Sequence, residues 1–430
     1  MSTRAPVVGL AALMCVLAAA FAAAFSLTDA SDYANPFCGH NRCNDAAPAI
    51  DALQHGHVGR FFDEQPAMGS FSLLVRAPAA LAARVAGGGE TWQYRAGALA
   101  CLLAAVALGV ALALRLLAHG HRFVAWLPLG LLCVFNPANG DALQRGHPEE
   151  ILGAALLAGA ALVAGARPVG AGVLAGLAIA TKQWALLGLL PVAFVAPAGQ
   201  RARVVAVAAG VALLLALPMA LGNPGAFRDA TRAAANPPGT VKPLDIWFPF
   251  AGKHNVTLRL PDGSRSSGQV WALPRSADRA AHWLVVAAAA ALIALWWRRR
   301  ERAGPALYLL ALLLLLRVVG DPRAHPYHHA PFVLALACTE AALLARFPWR
   351  TLGASALLAV TLRLFDSGPW SAANAVYLAW ALPALALLAA GAFNAKNPAK
   401  AGFLGARVMG DPGFEPGTSS LSETRSNRLS

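Results

Sequence analysis

Long runs with no or almost no charged residues recur along the 430-residue chain and constrain its fold more than any other feature. They cover residues 6–26, 96–114, 123–139, 151–166, 169–180, 183–198, 204–221, 283–297, 305–316, 330–344, 351–362 and 373–393. With 57% hydrophobic residues, 13% charged residues and a mean hydropathy of +0.53, the composition excludes an ordinary soluble domain. The sequence therefore predicts an all-α polytopic membrane protein with about 12 transmembrane helices, each needing about 20 residues.

The placement of Lys and Arg predicts the orientation of this bundle, because short cytoplasmic links carry an excess of these residues. A cytoplasmic N-terminus puts Arg115, Arg167 and Arg201 in such links, provided that residues 169–180 and 183–198 form two separate helices. The loops 27–95 and 222–282 then lie outside, and the C-terminus is cytoplasmic. The first run is interpreted as a retained anchor rather than a cleaved signal peptide. We thus expect one multi-pass plasma-membrane domain over residues 1–394.

The remaining segments are assigned by composition. The pattern of apolar and basic residues in 67–85 predicts one or two helices along the membrane surface, with Arg76 and Arg84 reaching the headgroups. A small strand is expected near 256–260. The tail 395–430 is rich in Pro, Gly and Ser, which predicts a disordered cytoplasmic segment, and it resembles the product of a reading frame that runs into a neighbouring gene. The net charge of +14 is attributed to orientation and lipid headgroups, so no nucleic-acid partner is predicted.

Two of the six cysteines differ from the rest. Cys38 and Cys43 lie in the first outer loop, where disulfides persist, whereas the other four lie in apolar runs. A disulfide between them is favoured over a zinc site that also uses His40, because a fourth ligand is not obvious.

Four polar segments fall on the outer side under this topology and gather the candidate site residues. They contain Asp45 and Asp51; Arg145, His147 and Glu149; Lys182; and Arg323, His325 and His328. Carboxylates of this kind abstract protons, and cationic or imidazole groups stabilise an anionic leaving group. Structural alternatives also exist: Asp45 as a helix N-cap, Glu149 at a helix dipole, Lys182 reaching the headgroups and His147 as a turn residue.

The same segments resemble a polyprenol-phosphate-dependent glycosyltransferase of the GT-C membrane fold, most like glycosyltransferase family 87, a mannosyltransferase-like group. The resemblance spans about residues 5–390. The matching positions are Asp45, 49–53, Gly56 and 71–78; Asn136 and Pro137; Lys182 and Pro191; and His325, Pro326, Tyr327 and His328. Residues 146–150 replace the Gly-Gln pair that this family carries after its Asn/Pro turn.

The resemblance implies transfer of mannose or another hexose or pentose from polyprenyl phosphate to an envelope glycan or glycolipid, with inversion. It implies Asp45 as the base, with Asp51 as the second carboxylate. It also implies donor-phosphate contacts from Lys182, Arg323, His325 and His328, and substrate contacts from Arg145, His147 and Glu149. The resemblance assigns no cofactor, and a divalent metal stays an open alternative. A transporter or flippase of lipid-linked sugars is the rival interpretation, but it predicts inverted repeats and charges inside the spans.

Overall fold

The computed structural model describes residues 4–25, 46–66, 68–118, 123–235, 241–259, 265–298, 303–344 and 347–393. Its helices are α1 (Arg4–Phe25), α2 (Ala47–Gln54), α3 (Val58–Asp63), α4 (Ser70–Val85), α5 (Glu90–Ala118), α6 (Phe123–Val134), α7 (Pro137–Gln144), α8 (Glu149–Val163), α9 (Pro168–Ile179), α10 (Leu186–Val195), α11 (Arg201–Gly222), α12 (Pro224–Ala235), α13 (Arg275–Trp297), α14 (Ala303–Gly320), α15 (Ala330–Thr339), α16 (Trp349–Ser367) and α17 (Trp370–Phe393). Short 3-10 turns cover Gln183–Ala185, Ala198–Gln200, Phe248–Phe250 and Pro326–His329, and a π-helical turn covers Glu340–Leu344.

A single antiparallel hairpin interrupts the helices within the described chain. Strand β1 (Gly252–Arg259) pairs with β2 (Arg265–Ala272), with Gly252 opposite Ala272 and Arg259 opposite Arg265. The strand expected near 256–260 therefore begins earlier and has a partner strand.

The apolar helices confirm the membrane character of the fold. Among the described residues, four helices are long and apolar enough to cross a membrane: Glu90–Leu117, Ala198–Gly222, Ser276–Trp297 and Trp370–Phe393. Shorter apolar helices cover Val8–Ala24, Pro168–Ile179, Gln183–Val195 and Gly304–Gly320. Because these fall short of the usual span of about 20 residues, the count of about 12 spans stays a prediction.

The chain reverses direction between α9 and α10, as the sequence predicted. Small residues let the neighbouring helices approach closely here, which is typical of membrane bundles. The contacts that fix the directions join Gly153 with Thr181 and Trp184, Leu157 with Gly188, and Gly159 with Leu174. Helix α9 therefore runs antiparallel to α8, and α10 returns in the direction of α8.

These reversals bring several polar segments to one end of the bundle, which we call the polar end. It comprises residues 136–150, 181–184 and 317–329, together with the beginning of α4. The opposite end carries the last turns of α5 and α8, where Arg115 donates a hydrogen bond to the Leu162 carbonyl over 3.1 Å.

Helix α4 confirms a helix within residues 67–85, but the predicted role of Arg76 is wrong. The Arg76 side chain is 1% exposed and does not reach lipid headgroups. Leu73 is also fully buried, whereas Leu74 and Leu81 stay exposed. The reason is tertiary: α4 packs tightly on α5 at Gly97, and Arg76 finds a buried carboxylate partner in Glu149.

The beginning of α4 is tied to the link that carries Lys182. The Gly69 amide donates to the Thr181 carbonyl over 2.9 Å, and the Phe71 amide donates to the Ala180 carbonyl over 3.1 Å. A Cβ atom on Gly69 would lie 1.9 Å from the Ala180 carbonyl oxygen. No side chain fits there unless the two segments separate.

Gly69→Ala is therefore expected to destabilise the protein by about 1–3 kcal/mol, the usual cost of overpacking. Thermal unfolding in detergent measures the effect. Gly59→Ala is the matched control, because nothing lies within 4 Å of a Cβ atom added at Gly59. Equal unfolding temperatures for the two variants would contradict the tight contact.

The segment before the hairpin closes over the end of α14. The Ile246 amide donates to the Val319 carbonyl over 3.0 Å, and the Trp247 indole donates to the Gly320 carbonyl over 2.7 Å. On the other side, the Asn374 amide donates to the Asp245 carbonyl over 2.8 Å. Part of the long loop 222–282 is thus fixed beside the polar end.

Candidate active site

Glu149 is the centre of the charge network at the polar end. Its side chain has no exposed surface, and its Oε1 atom lies 2.9 Å from His147 Nδ1 and 3.1 Å from Lys182 Nζ. Its Oε2 atom lies 3.4 Å from Arg76 Nη1. A buried carboxylate needs such partners to offset the loss of water. Glu149 therefore joins the beginning of α8 to α4 and to the link between α9 and α10.

The local sequence explains why these groups meet. Gly146 adopts a φ of 82° after α7, a left-handed conformation that glycine tolerates best. The chain then turns back, so that the His147 amide donates to the Ala142 carbonyl over 2.8 Å. Helix α8 begins at Glu149, and carboxylates in a first turn are stabilised by the helix dipole.

The next residue, Glu150, connects this network to the histidine turn. Its Oε1 atom lies 3.6 Å from Lys182 Nζ and 3.9 Å from His328 Nε2. Its Oε2 atom is buried and has no hydrogen-bond partner in the described part of the chain. Lys182 and His328, two of the predicted phosphate ligands, are thus brought together around one carboxylate.

The histidine turn is a stack of rings. The His325 ring lies 5.2 Å from the Tyr327 ring, and His147 packs against the same tyrosine at 4.7 Å. His328 Nδ1 accepts a hydrogen bond from the His325 amide over 3.1 Å. Burial, and then nearby cations, hold the pKa of both His325 and His328 well below the usual value. Both imidazoles are therefore neutral near pH 7 and act as hydrogen-bonding groups.

His329 has a structural place instead. One ring nitrogen lies 2.9 Å from the Pro326 carbonyl and the other 3.0 Å from the Tyr377 hydroxyl, and the side chain is fully buried. This residue fixes the turn against α17.

Two further cationic side chains, Arg145 and Lys242, lie at the polar end. Arg145 Nε lies 2.8 Å from Asp141 Oδ1, and Asp141 Oδ2 accepts a hydrogen bond from the Tyr327 amide over 3.1 Å. Lys242 lies over the Trp370 ring at 5.6 Å. Burial, followed by repulsion from Arg145, lowers the pKa of Lys242 to about 8. Like charges are therefore held close together here.

The other predicted site residues take no part in the charge network around Glu149 and Glu150 in the described chain. Arg323 forms an ion pair with Asp278, and its amide donates to Asp321, so its partner is at the beginning of α13. Asp51 is 46% exposed and lies 3.3 Å from Arg60 and 3.2 Å from His55. Asp45, Cys38 and Cys43 lie outside the described residues. Within the described chain, no group of three His, Cys, Asp or Glu side chains is arranged to hold a metal ion.

Asp245 is a further buried acid beside this end. Its Oδ1 atom accepts hydrogen bonds from the Trp247 and Phe248 amides over 2.7 and 2.9 Å, and its side chain has no exposed surface. Burial raises the pKa of Asp245 to about 8 despite these hydrogen bonds, and Asp321 adds repulsion.

The contribution of Asp245 to stability should consequently fall as the pH rises from about 4 to about 8, because the folded protein holds this proton more tightly than the unfolded chain does. Asp245→Asn should remove this contribution and raise the unfolding temperature at pH 8 relative to the wild type. Asp229→Asn, at a carboxylate that is 70% exposed, is the control and should keep the slope. Parallel curves for the wild type and Asp245→Asn would contradict this origin of the pH dependence.

Comparison with known families identifies the chain. The model of glycosyltransferase family 87 matches residues 69–319, which is more than half of the 430 residues. The match extends from the beginning of α4 to the end of α14 and includes Glu149 and Lys182. Searches of curated proteins and of solved structures give no match. The predicted family is thus confirmed, and the chain belongs to glycosyltransferase family 87.

Proposed function

We propose that the chain transfers one sugar from a polyprenyl-phosphate donor to an envelope glycan or glycolipid. The observation that carries this proposal is the convergence of Lys182, Lys242 and the neutral imidazoles of His325 and His328 at one end of an apolar bundle. Such a site suits a donor with an anionic head and a tail that partitions into the bilayer. Mannose is the sugar that the family resemblance favours, with another hexose or a pentose as alternatives.

The reaction is a single displacement with inversion. Asp45 takes the proton of the acceptor hydroxyl, whose oxygen forms a bond to the anomeric carbon. The bond from that carbon to the phosphate oxygen breaks, and its electron pair leaves with polyprenyl phosphate. Lys182, His325 and His328 stabilise the charge that develops on the phosphate. Arg323, which pairs with Asp278, is a less direct contributor than the sequence suggested.

The residues predicted to bind substrate divide into two kinds. His147 and Arg145 have side chains that are 17% and 36% exposed, so they are available to a sugar or to the acceptor. Glu149 has no exposed surface and already has three partners, Arg76, His147 and Lys182. We therefore assign Glu149 to positioning Lys182 and His147 rather than to contact with substrate.

The membrane orientation is part of the same proposal. The polar end faces the outer side of the plasma membrane, both termini are cytoplasmic, and about 12 helices span the bilayer. Basic residues in the short links at the other end of the bundle, such as Arg115 and Arg167, support this orientation. The tail 395–430 takes no part in the reaction.

The donor class is tested with purified full-length protein in lipid nanodiscs. Sugar linked to polyprenyl phosphate and the corresponding nucleotide sugar are offered separately, and transfer to a glycolipid acceptor is followed by mass spectrometry. We expect transfer from the lipid donor alone, release of polyprenyl phosphate and an inverted anomeric configuration by NMR. Transfer from the nucleotide sugar, or retention of configuration, would contradict the proposal.

A further inference from the structure

Arg317 is a cation of the polar end that the mechanism above does not use. It lies in the last turn of α14, after a run of apolar residues, where a charged side chain is expensive. Its guanidinium lies over the Trp184 ring, with Cζ 5.4 Å from the ring centroid. Trp184 lies two residues after Lys182, in the link between α9 and α10. This link therefore meets the end of α14 at the contact between Trp184 and Arg317.

Two hydrogen-bond donors at this contact are unsatisfied. Arg317 Nη1 and Trp184 Nε1 are both buried and have no hydrogen-bond partner in the described part of the chain. A buried donor without an acceptor costs about 1–3 kcal/mol, so a native site normally supplies one. The described residues provide no acceptor oxygen for either donor.

The neighbours of Arg317 belong to the site already described. Trp184 packs over Gly153, one helical turn after Glu150, and Glu150 contacts both Lys182 and His328. After burial, the charge of Arg317 is the largest cause that lowers the pKa of His328. Arg317 therefore lies close enough to His328, the imidazole that we assign to the donor phosphate, for its charge to act on that ring.

We propose that Arg317 and the indole N–H of Trp184 form an inner subsite that binds a phosphate oxygen of the polyprenyl phosphate. This inference rests on the proposed function. The planar guanidinium fork suits phosphate oxygens, and the Trp184 ring fixes its plane. Lys182 and His328 hold the phosphate from the outer side, while Arg317 and Trp184 hold it from the bundle.

The test compares binding of a short-chain polyprenyl phosphate and of the matching polyprenol, which lacks the phosphate, to full-length protein in nanodiscs. Arg317→Met should weaken phosphate binding by about 10- to 100-fold, the range for a hydrogen bond to a charged group, and leave polyprenol binding unchanged. Trp184→Phe keeps the ring and should lose a smaller factor. Arg115→Met removes an arginine at the opposite end of the bundle and should bind both lipids like the wild type.

Folding is separated from binding by the unfolding temperature without lipid. If Arg317→Met does not fold, Arg317→Lys keeps the charge without the fork and should still weaken phosphate binding. If the folded Arg317 variant binds polyprenyl phosphate as tightly as the wild type, the inner subsite is overturned. The proposal that polyprenyl phosphate carries the donor sugar is not affected by that result. A wild type that binds polyprenol as tightly as polyprenyl phosphate would overturn the proposed donor itself.

Discussion

Replacing Asp45 by Asn is expected to lower turnover by about 10²–10⁴-fold, the usual contribution of a general base, with little change in folding. The acceptor hydroxyl must lose its proton as the new bond forms, and an amide accepts no proton near pH 7. Asp45 directly precedes Ala46, which is buried immediately before α2. Turnover with saturating lipid donor measures the effect, and the unfolding temperature reports folding.

Asp51→Asn is the matched control, because it changes the other carboxylate of the same segment. Its side chain is 46% exposed and already pairs with Arg60 and His55, so we expect turnover close to that of the wild type. A large loss in Asp51→Asn with normal turnover in Asp45→Asn would reverse the assignment of the base. Normal turnover in both variants would exclude both carboxylates as the base.

The second large effect is expected at Glu149. Glu149→Ala should destabilise the protein by about 3–5 kcal/mol, because breaking a buried ion pair leaves an uncompensated buried charge. Arg76, which is 1% exposed, loses a carboxylate partner, and Lys182 and His147 lose the group that positions them. Thermal or chemical unfolding in detergent measures the loss.

A double-mutant cycle separates the charge from the packing. Arg76→Met combined with Glu149→Met removes both members of the pair and should recover much of the stability, since an apolar replacement of a buried pair is often tolerated. It should not recover turnover, because Lys182 and His147 remain without their anchor. Additive losses in the cycle would contradict direct coupling between Arg76 and Glu149, and full activity in the double variant would contradict the positioning role.

Hydropathy predicted the features of the fold that depend on local composition. The apolar helices, the helix in 67–85 and the reversal between α9 and α10 follow from apolar runs and from the breaks between them. The number of spans does not follow, because several apolar helices have only 10–17 residues and their length alone does not show whether they cross the membrane.

The sequence predicted part of the candidate site, namely the side chains that the helix directions bring to one end of the bundle. The helix directions follow from the alternation of runs, so Lys182, His147, Glu149 and His328 were expected at one end, and the structure places them there. The burial of Arg76 could not be predicted from the sequence. An arginine that reaches the headgroups and one that is buried beside Glu149 occupy the same position in the helical pattern of apolar residues. Arg317 was missed, although its position at the end of an apolar helix is the kind of signal that indicates function.

In the proposed mechanism, the polar end holds the phosphate of a lipid-linked sugar. The most direct measurement is a cryo-electron-microscopy structure of the full-length protein in nanodiscs with bound polyprenyl phosphate. We expect phosphate density within hydrogen-bond reach of Lys182 and His328, with the polyprenyl chain leaving toward the bilayer. Phosphate density at the opposite end, near Arg115, or a polar end that stays empty at saturating lipid would contradict it.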